Sequence, residues 1–552
     1  MEVFLARMNQ GRSSIAFFLD DKGLFTFNVF DLRLKKLVYK SSVCSSNPTQ
    51  APVWDKDGNV IYQGNQENLF YLVKENLEIS KVELSSNHQH HLISLEKIKS
   101  NFIITLKFLE NGITKNAIYI FNKNKVKLYK TFTVNSLSTC DIDKEKITRE
   151  NIKDETTKNK FDHESEVINK NYKHKEKDKL YGVIRENNKL LLKILDLKKS
   201  QVNSILLSND RNLNLNVLDV YNDNVLFEEN IGFQQNLYVL EEDRLKKIYK
   251  PKGIMEFSKY INSDELVCVY TSEGNPRSIF ILQLNEEKMK LIFPNNTHPQ
   301  KEFESIEAKI PVRDKEKLNC LINFKGKIKK PIIIWLHGGP NAKWDRSFHY
   351  LLCDLLAQDM TVIRPNIRGS TDQSKSFASS IMNDWGGIDA RDVIDLINFF
   401  KKEFKIQENE IYIMGESYGA FLCYILASKY KISCGGFICI SGFVDLSYQY
   451  LFSNSRRLVK DFLGPLNKNN IFYKVRSPIY YVENIESKLL IIHGKKDTHC
   501  PLKQIDFFVE KMRDKNKKFI YWPIEEYGHF YTSSFTIKRL MSEKIIKFIN
   551  SE

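Results

Sequence analysis

Between a strand-like run, EIYIM, and a helical run, AFLCYILASKY, the chain leaves five residues, Gly415-Glu416-Ser417-Tyr418-Gly419. So short a turn restricts what the chain can fold into. A strand that passes directly into a helix belongs to a parallel sheet flanked by helices, because parallel strands need long crossover connections. The turn forces its central residue into strained geometry, and small residues two positions to either side keep the neighbouring backbone clear. A serine placed there is exposed beyond the end of its strand, beside a helix N-terminus whose free amides favour negative charge.

The surrounding sequence agrees. From about residue 303 strand patterns alternate with helical ones: KPIIIWLHGG, SFHYLLCDLLAQD, MTVIRPNIRG, DARDVIDLINFFKKEF, SKLLIIHGKKD, QIDFFVEKMRD and KKFIYWPI. In DARDVIDLINFFKKEF the apolar Val393, Ile394, Ile397 and Phe400 follow helical spacing. Residues 303–552 are therefore expected to form a mostly parallel sheet with helices on both faces, an α/β-hydrolase fold. Residues 1–302 read differently. Runs of β-branched and aromatic residues are split by turn clusters rich in Asn, Asp, Gly and Lys, with Asp57-Gly58 the clearest hairpin signal. These units recur at roughly 40 residues, the length of a β-propeller blade, and predict an all-β propeller of about six to eight blades. A pair of β-sandwiches is the alternative. Residues 141–179 carry charges throughout and hardly any apolar side chain, so they are expected to form an exposed, mobile insertion.

Serine is a poor nucleophile unless a base, oriented by an acid, takes its proton. Asp497, in the loop after LLIIHG, and His529, in the loop after FIYWPI, complete the chain order Ser, Asp, His expected of this fold. Both follow the C-terminal ends of strands, where open parallel sheets hold their ligands. His493 and His499 compete less well as the base, because His499 lies only two residues beyond Asp497. Asp445 and Asp506 are rival acids outside any strand–glycine–loop context. Two oxyanion donors are expected: the Tyr418 N–H, directly after the nucleophile, and the Gly339 N–H in the turn His337-Gly338-Gly339-Pro340. For that turn a purely structural role is the plainer alternative.

Composition narrows the partners. At 552 residues the chain exceeds a single compact core. Its net charge of +15 is spread over strands, loops and helices without a recognisable nucleic-acid module, so no specific nucleic-acid binding is expected. No apolar run approaches the roughly 20 residues that span a bilayer, and the N-terminal sequence lacks a signal-peptide pattern. Nine scattered cysteines, an odd number without a C-x-x-C cluster, argue against a disulfide framework and a zinc site, and for a cytoplasmic location.

Taken in order, WLHGGPN, IRPNIRGS, DWGGIDARDV, GESYGAF, RSPIYY, LLIIHGKKD and EYGHF resemble the prolyl oligopeptidase family of serine peptidases, its acylaminoacyl-peptidase-like branch above all. The resemblance covers the last ~250 residues. It implies an N-terminal propeller, which agrees with the separate repeat reading, and cleavage of short peptides through an acyl-enzyme on Ser417. It implies no metal or organic cofactor. Many relatives carry Arg two residues after the catalytic Asp where this chain has His499, which bears on the substrate clamp. Ala420 stands where relatives often have a second glycine. No paired-glutamate motif for gripping a free N-terminus is evident, so dipeptidyl-peptidase activity is less favoured. Phe443 and Tyr450, after the strand FICIS, are candidates to line an apolar substrate pocket or to pack in the core, and His499 to line the site. A carboxylesterase on the same scaffold and a non-catalytic propeller–hydrolase binding protein are the alternatives. Oligomeric state, self-association included, is left open.

Overall fold

The computed structural model describes residues 2–551 apart from 134–173, 294–302, 530–534 and shorter gaps, nearly all in the N-terminal half. Among the described residues six four-stranded antiparallel sheets come first, over 2–45, 53–83, 90–133, 174–208, 215–249 and 254–293. These are the blades of a β-propeller. Each uses four consecutive strands in simple up-and-down order.

Turn chemistry explains the hairpins. Asn187-Asn188 and Asn222-Asp223 each take positive φ at both positions (49° and 65°, 48° and 66°), the backbone that matches strand twist in a two-residue turn. At the Asp-Gly signal, Asp55 Oδ1 accepts from the N–H groups of Asp57 and Asn59 at 2.9 and 2.8 Å, while Gly58 adopts φ 83°.

Strand alternation then packs the blades. In Ser14–Asp21, Phe17 points into an apolar cluster with Val267, Val269 and Ile279 of the sixth blade. Its neighbour Phe18 points the other way, into a cluster with Val60 and Tyr62 of the second. A strand buried on both faces this way must be apolar at successive positions, as Ile15-Ala16-Phe17-Phe18 is. Most of the charged 141–179 segment lies outside the described residues. Its end departs from the expected loop: His174–Glu176 is a strand paired with Lys179–Glu186.

The second sheet has eight strands: β1 Glu304–Pro311, β2 Lys317–Phe324, β3 Ile332–Leu336, β4 Thr361–Asn366, β5 Ile411–Glu416, β6 Gly436–Ile440, β7 Leu489–Gly494 and β8 Phe519–Ile524. Their spatial order is β1-β2-β4-β3-β5-β6-β7-β8, antiparallel for the first two pairings and parallel for the rest. The central strands are unbroken apolar runs because both faces are covered. Helices α1 (Tyr350–Ala357) and α5 (Phe535–Ile549) cover one face, where Leu351, Leu355 and Ile545 meet Ile333 and Trp335. Helices α2 (Ile388–Phe404), α3 (Tyr418–Ser428) and α4 (Leu502–Asp514) cover the other, where Val393, Phe421 and Phe508 meet Ile332 and Ile334.

The two parts meet in a buried ionic cluster. Glu273, at the hairpin tip between the strands Glu265–Ser272 and Asn275–Gln283, reaches into the α/β part. Its Oε1 accepts from Arg364 and, at 2.8 Å, from Asn323, and its Oε2 accepts from Arg346 at 2.7 Å. Arg346 also pairs with Glu307 at 2.9 Å. Among the described residues no helix is long and apolar enough to cross a membrane.

Candidate active site

Ser417 caps α3 with φ 53° and ψ −111°, a conformation unfavourable for any residue with a side chain. Its N–H donates to the Ile440 carbonyl on β6 at 2.9 Å, which fixes the turn against the sheet. The two motif glycines are there for space. A Cβ on Gly415 would stand 2.2 Å from the Gly419 carbonyl carbon, and one on Gly419 would stand 2.4 Å from the Leu336 oxygen on β3.

Asp497 and His529 come from the loops after β7 and β8, joined at the backbone. Lys495 N–H donates to Ile524 O at 2.9 Å and Lys496 N–H to Tyr527 O at 2.8 Å. A Cβ on Gly494 would lie 2.4 Å from the Gly528 oxygen, so the close approach requires glycine. Asp497 Oδ1 accepts from the N–H groups of His499 and Cys500 at 2.9 and 2.7 Å, and its Oδ2 accepts from His529 Nδ1 at 2.7 Å. The Asp497 side chain is wholly buried, while the His529 ring keeps a 10% opening. This assigns the Nδ1–H tautomer to His529 and leaves Nε2 with a lone pair.

Three neighbours complete the cluster. The Cys500 N–H donates to Asp497 Oδ1, and its thiol accepts from Gln449 Nε2 at 3.9 Å. Cys500 and Asp497 in turn offer ligand atoms within 4.8 Å of a ring nitrogen of His529, so the loops after β7 and β8 converge. His499 stacks on His529 with ring centroids 5.1 Å apart and planes inclined by 21°. His493 is fully buried; its Nε2 bonds the Cys500 carbonyl at 2.7 Å and lies 3.5 Å from Asp497 Oδ2. Burial lowers the pKa of His493 and holds its ring neutral.

The turn after β3 lies against the serine: a Cβ on Gly338 would be 3.5 Å from Ser417 Cβ. His337 Nδ1 donates to its neighbour's carbonyl, Gly338 O, at 2.7 Å, and His337 Nε2 takes the Ser370 hydroxyl at 2.7 Å. With the Gly338 carbonyl held by the imidazole, the trans peptide turns the Gly339 N–H to the opposite side, and Gly339 itself sits at φ 122°. The Tyr418 side chain runs into the core, donates to the buried Asp389, and packs edge-on to Trp385 with centroids 5.0 Å apart. Burial raises Asp389 to about 6.

Phe443 and Tyr450 both belong to the apolar core. Phe443 stacks on Phe421 at 4.8 Å, and Tyr450 lies beneath Arg456 and edge-on to Tyr473. What either offers a ligand is an edge.

Sequence reasoning missed Asp389, Glu416 and Cys500. The first lies in DWGGIDARDV and the second inside the G-x-S-x-G, but nothing in a linear motif says which way a carboxylate faces. Burial raises Glu416 from an ordinary 4.5 to about 7, opposed in part by its electrostatic interaction with His529, and its Oε1 has no hydrogen-bond partner. A carboxyl with a raised pKa in the folded chain holds its proton while the unfolded chain releases it, so its contribution to stability is lost as pH rises from about 4.5 through about 7. Glu416→Gln is therefore expected to gain stability over the wild type across that window. Urea melts at pH 5 and pH 8 check this, with the gap between the two proteins larger at pH 8.

Residues 347–551 match the prolyl oligopeptidase family. That match lies within the C-terminal α/β part of the chain. The chain is 25% identical over 299 residues to an uncharacterized peptidase, YuxL, of Bacillus subtilis, covering 51% of this chain and 44% of that protein. It is 30% identical over 182 residues to dipeptidyl-peptidase 5 of Porphyromonas gingivalis, covering 32% and 27%. The chain thus spans less than half the length of these curated relatives. In structure it is similar to a Pyrococcus horikoshii acylaminoacyl peptidase, with TM-score 0.71 at 17% identity over 100% of this chain and 96% of that one. It is also similar to a puromycin hydrolase, with TM-score 0.72 at 11% identity over 100% and 95%. These likenesses carry the fold: a β-propeller precedes an α/β-hydrolase domain, as the repeat pattern and the resemblance both implied.

Proposed function

We propose that the chain is a serine peptidase of oligopeptidase or acylaminoacyl-peptidase type, acting on short peptides with Ser417, Asp497 and His529 as its triad. The observation that carries this reading is the strained Ser417 turn together with a preformed Asp497–His529 pair bonded at 2.7 Å. Ser417 Oγ attacks the scissile carbonyl while His529 Nε2 takes its proton. Asp497 holds the tautomer and stabilises the imidazolium. The Tyr418 and Gly339 N–H groups receive the oxyanion. His529 then returns the proton to the leaving amine, and water, activated by the same ring, releases the acyl group.

His499, stacked on the base, lines the acyl site. The propeller, which we delimit at residues 1–302, covers the site and turns folded proteins away. Cys268, Cys320, Cys423, Cys434, Cys439 and Cys500 are free thiols and buried, which supports a cytoplasmic setting. Dipeptidyl peptidases among the relatives keep N-terminal dipeptide release as a second specificity within the same chemistry.

A fluorophosphonate probe tests the nucleophile directly. Labelling is expected to map to Ser417 and to vanish in Ser417→Ala; folded protein that takes no label would overturn the triad. N-blocked and free-amine peptide amides, run beside matching esters, then separate acylaminoacyl peptidase, dipeptidyl peptidase and esterase.

A further inference from the structure

Cys500 is 2% exposed and sits beside Asp497, to whose Oδ1 its N–H donates at 2.7 Å. Cys500 Sγ, a carboxylate oxygen of Asp497 and a ring nitrogen of His529 all lie within 4.8 Å of one another. We propose that these three side chains form an inhibitory binding site for a thiophilic divalent cation, Zn2+, which shuts the active site by occupying its base. The proposal rests on the catalytic reading of Ser417, Asp497 and His529 and assigns that site a regulator.

The donor set selects the ion. One sulfur, one imidazole nitrogen and one carboxylate oxygen suit zinc far better than magnesium or calcium, which want oxygen throughout. Tetrahedral zinc bonds of about 2.0 to 2.3 Å put donor atoms roughly 3.3 to 3.7 Å apart, so separations within 4.8 Å close with side-chain shifts of about 1 Å. The His529 nitrogen beside Asp497 is Nδ1, 2.7 Å from Oδ2, so the ion takes Nδ1 and the ring proton moves to Nε2, which then has no lone pair to take the serine proton. A metal there and a working base exclude each other.

Charge and protons balance. Cys500 would bind the ion as its thiolate. On binding, its proton leaves to solvent, and the thiolate and the Asp497 carboxylate together match the two positive charges of the ion. The fourth position is left for water. The His499 and Cys500 amides that hold Asp497 Oδ1 orient this ligand in advance. The spacing rules for zinc motifs miss the site because its third ligand comes from a loop 29 residues beyond Cys500, delivered by the fold.

Two measurements on the full chain test it, one of them independent of activity. Co2+ added as a spectroscopic stand-in is expected to give thiolate-to-cobalt charge-transfer absorption, lost in Cys500→Val. Excess Zn2+ is expected to slow fluorophosphonate labelling of the wild type by at least about tenfold, reversibly with EDTA, and to slow each variant by less than about twofold relative to its own zinc-free rate. Cys500→Ser serves if the valine variant does not fold. No cobalt band in the wild type, a band that survives loss of Cys500, or equal zinc sensitivity in wild type and variant would overturn the site. Absence of labelling without zinc would overturn the triad instead, and the cobalt band would still decide whether the metal binds.

Discussion

Asp497→Asn is expected to lower kcat by about 10^4-fold with the fold intact. The argument is one of donors and acceptors. In the wild type Oδ1 accepts two backbone N–H groups and Oδ2 accepts His529 Nδ1–H. An asparagine has one acceptor oxygen and one amide that only donates. If the oxygen faces the two backbone amides, the NH2 faces Nδ1, which must become the acceptor. The ring proton then moves to Nε2, and the base has no lone pair for Ser417. The other orientation sets an NH2 against two N–H donors inside a buried loop and is worse. Steady-state kinetics on a peptide amide, with circular dichroism to verify folding, check this. Retention of more than about a tenth of wild-type kcat would remove Asp497 from the triad.

The second large effect concerns stability. Glu273→Ala is expected to destabilise the chain by about 3–5 kcal/mol. Arg364 is only 1% exposed, sits over the Trp344 ring and relies on Glu273 as its charge partner. Taking the carboxylate away leaves a guanidinium buried without compensation, and removes a partner from Asn323 and Arg346 as well. Replacing both ends, in Glu273→Leu with Arg364→Met, is expected to recover much of the loss, because a buried pair exchanged for apolar side chains is often neutral. Guanidinium melts of the three proteins check the order. A loss in Glu273→Ala of less than about 1 kcal/mol would show the cluster to be wet and weakly coupled.

Much of the architecture was legible because it is written in local pattern. The serine turn announces itself by two glycines that a strand and a helix must share, and both prove to have backbone within 2.4 Å of where a Cβ would go. The hairpins announce themselves through Asn and Asp residues that tolerate positive φ. The propeller's blade number stayed indefinite because degenerate hairpins carry no count. What the sequence could not disclose was anything made by meeting. Glu273 and Arg364 are 91 residues apart. Glu416 and Cys500 look like ordinary motif and loop residues until the fold sets them beside His529. Phe443 and Tyr450 show the limit of composition: an apolar pocket and a packed core ask for the same aromatic residues, and both side chains belong to the core cluster.

The blade plan has one more consequence. Because each described sheet is a single uninterrupted stretch of four strands, no main-chain ladder crosses from the first blade to the sixth. They are held together by the cluster around Phe17, Val267 and Ile279 and by Arg12, which donates to the Tyr260 carbonyl at 2.8 Å. Apolar association weakens on cooling, whereas the ladders within a blade are main-chain hydrogen bonds. The propeller is thus a ring of firm pieces with a cold-sensitive clasp, and chilling would part blade from blade before it frayed any strand.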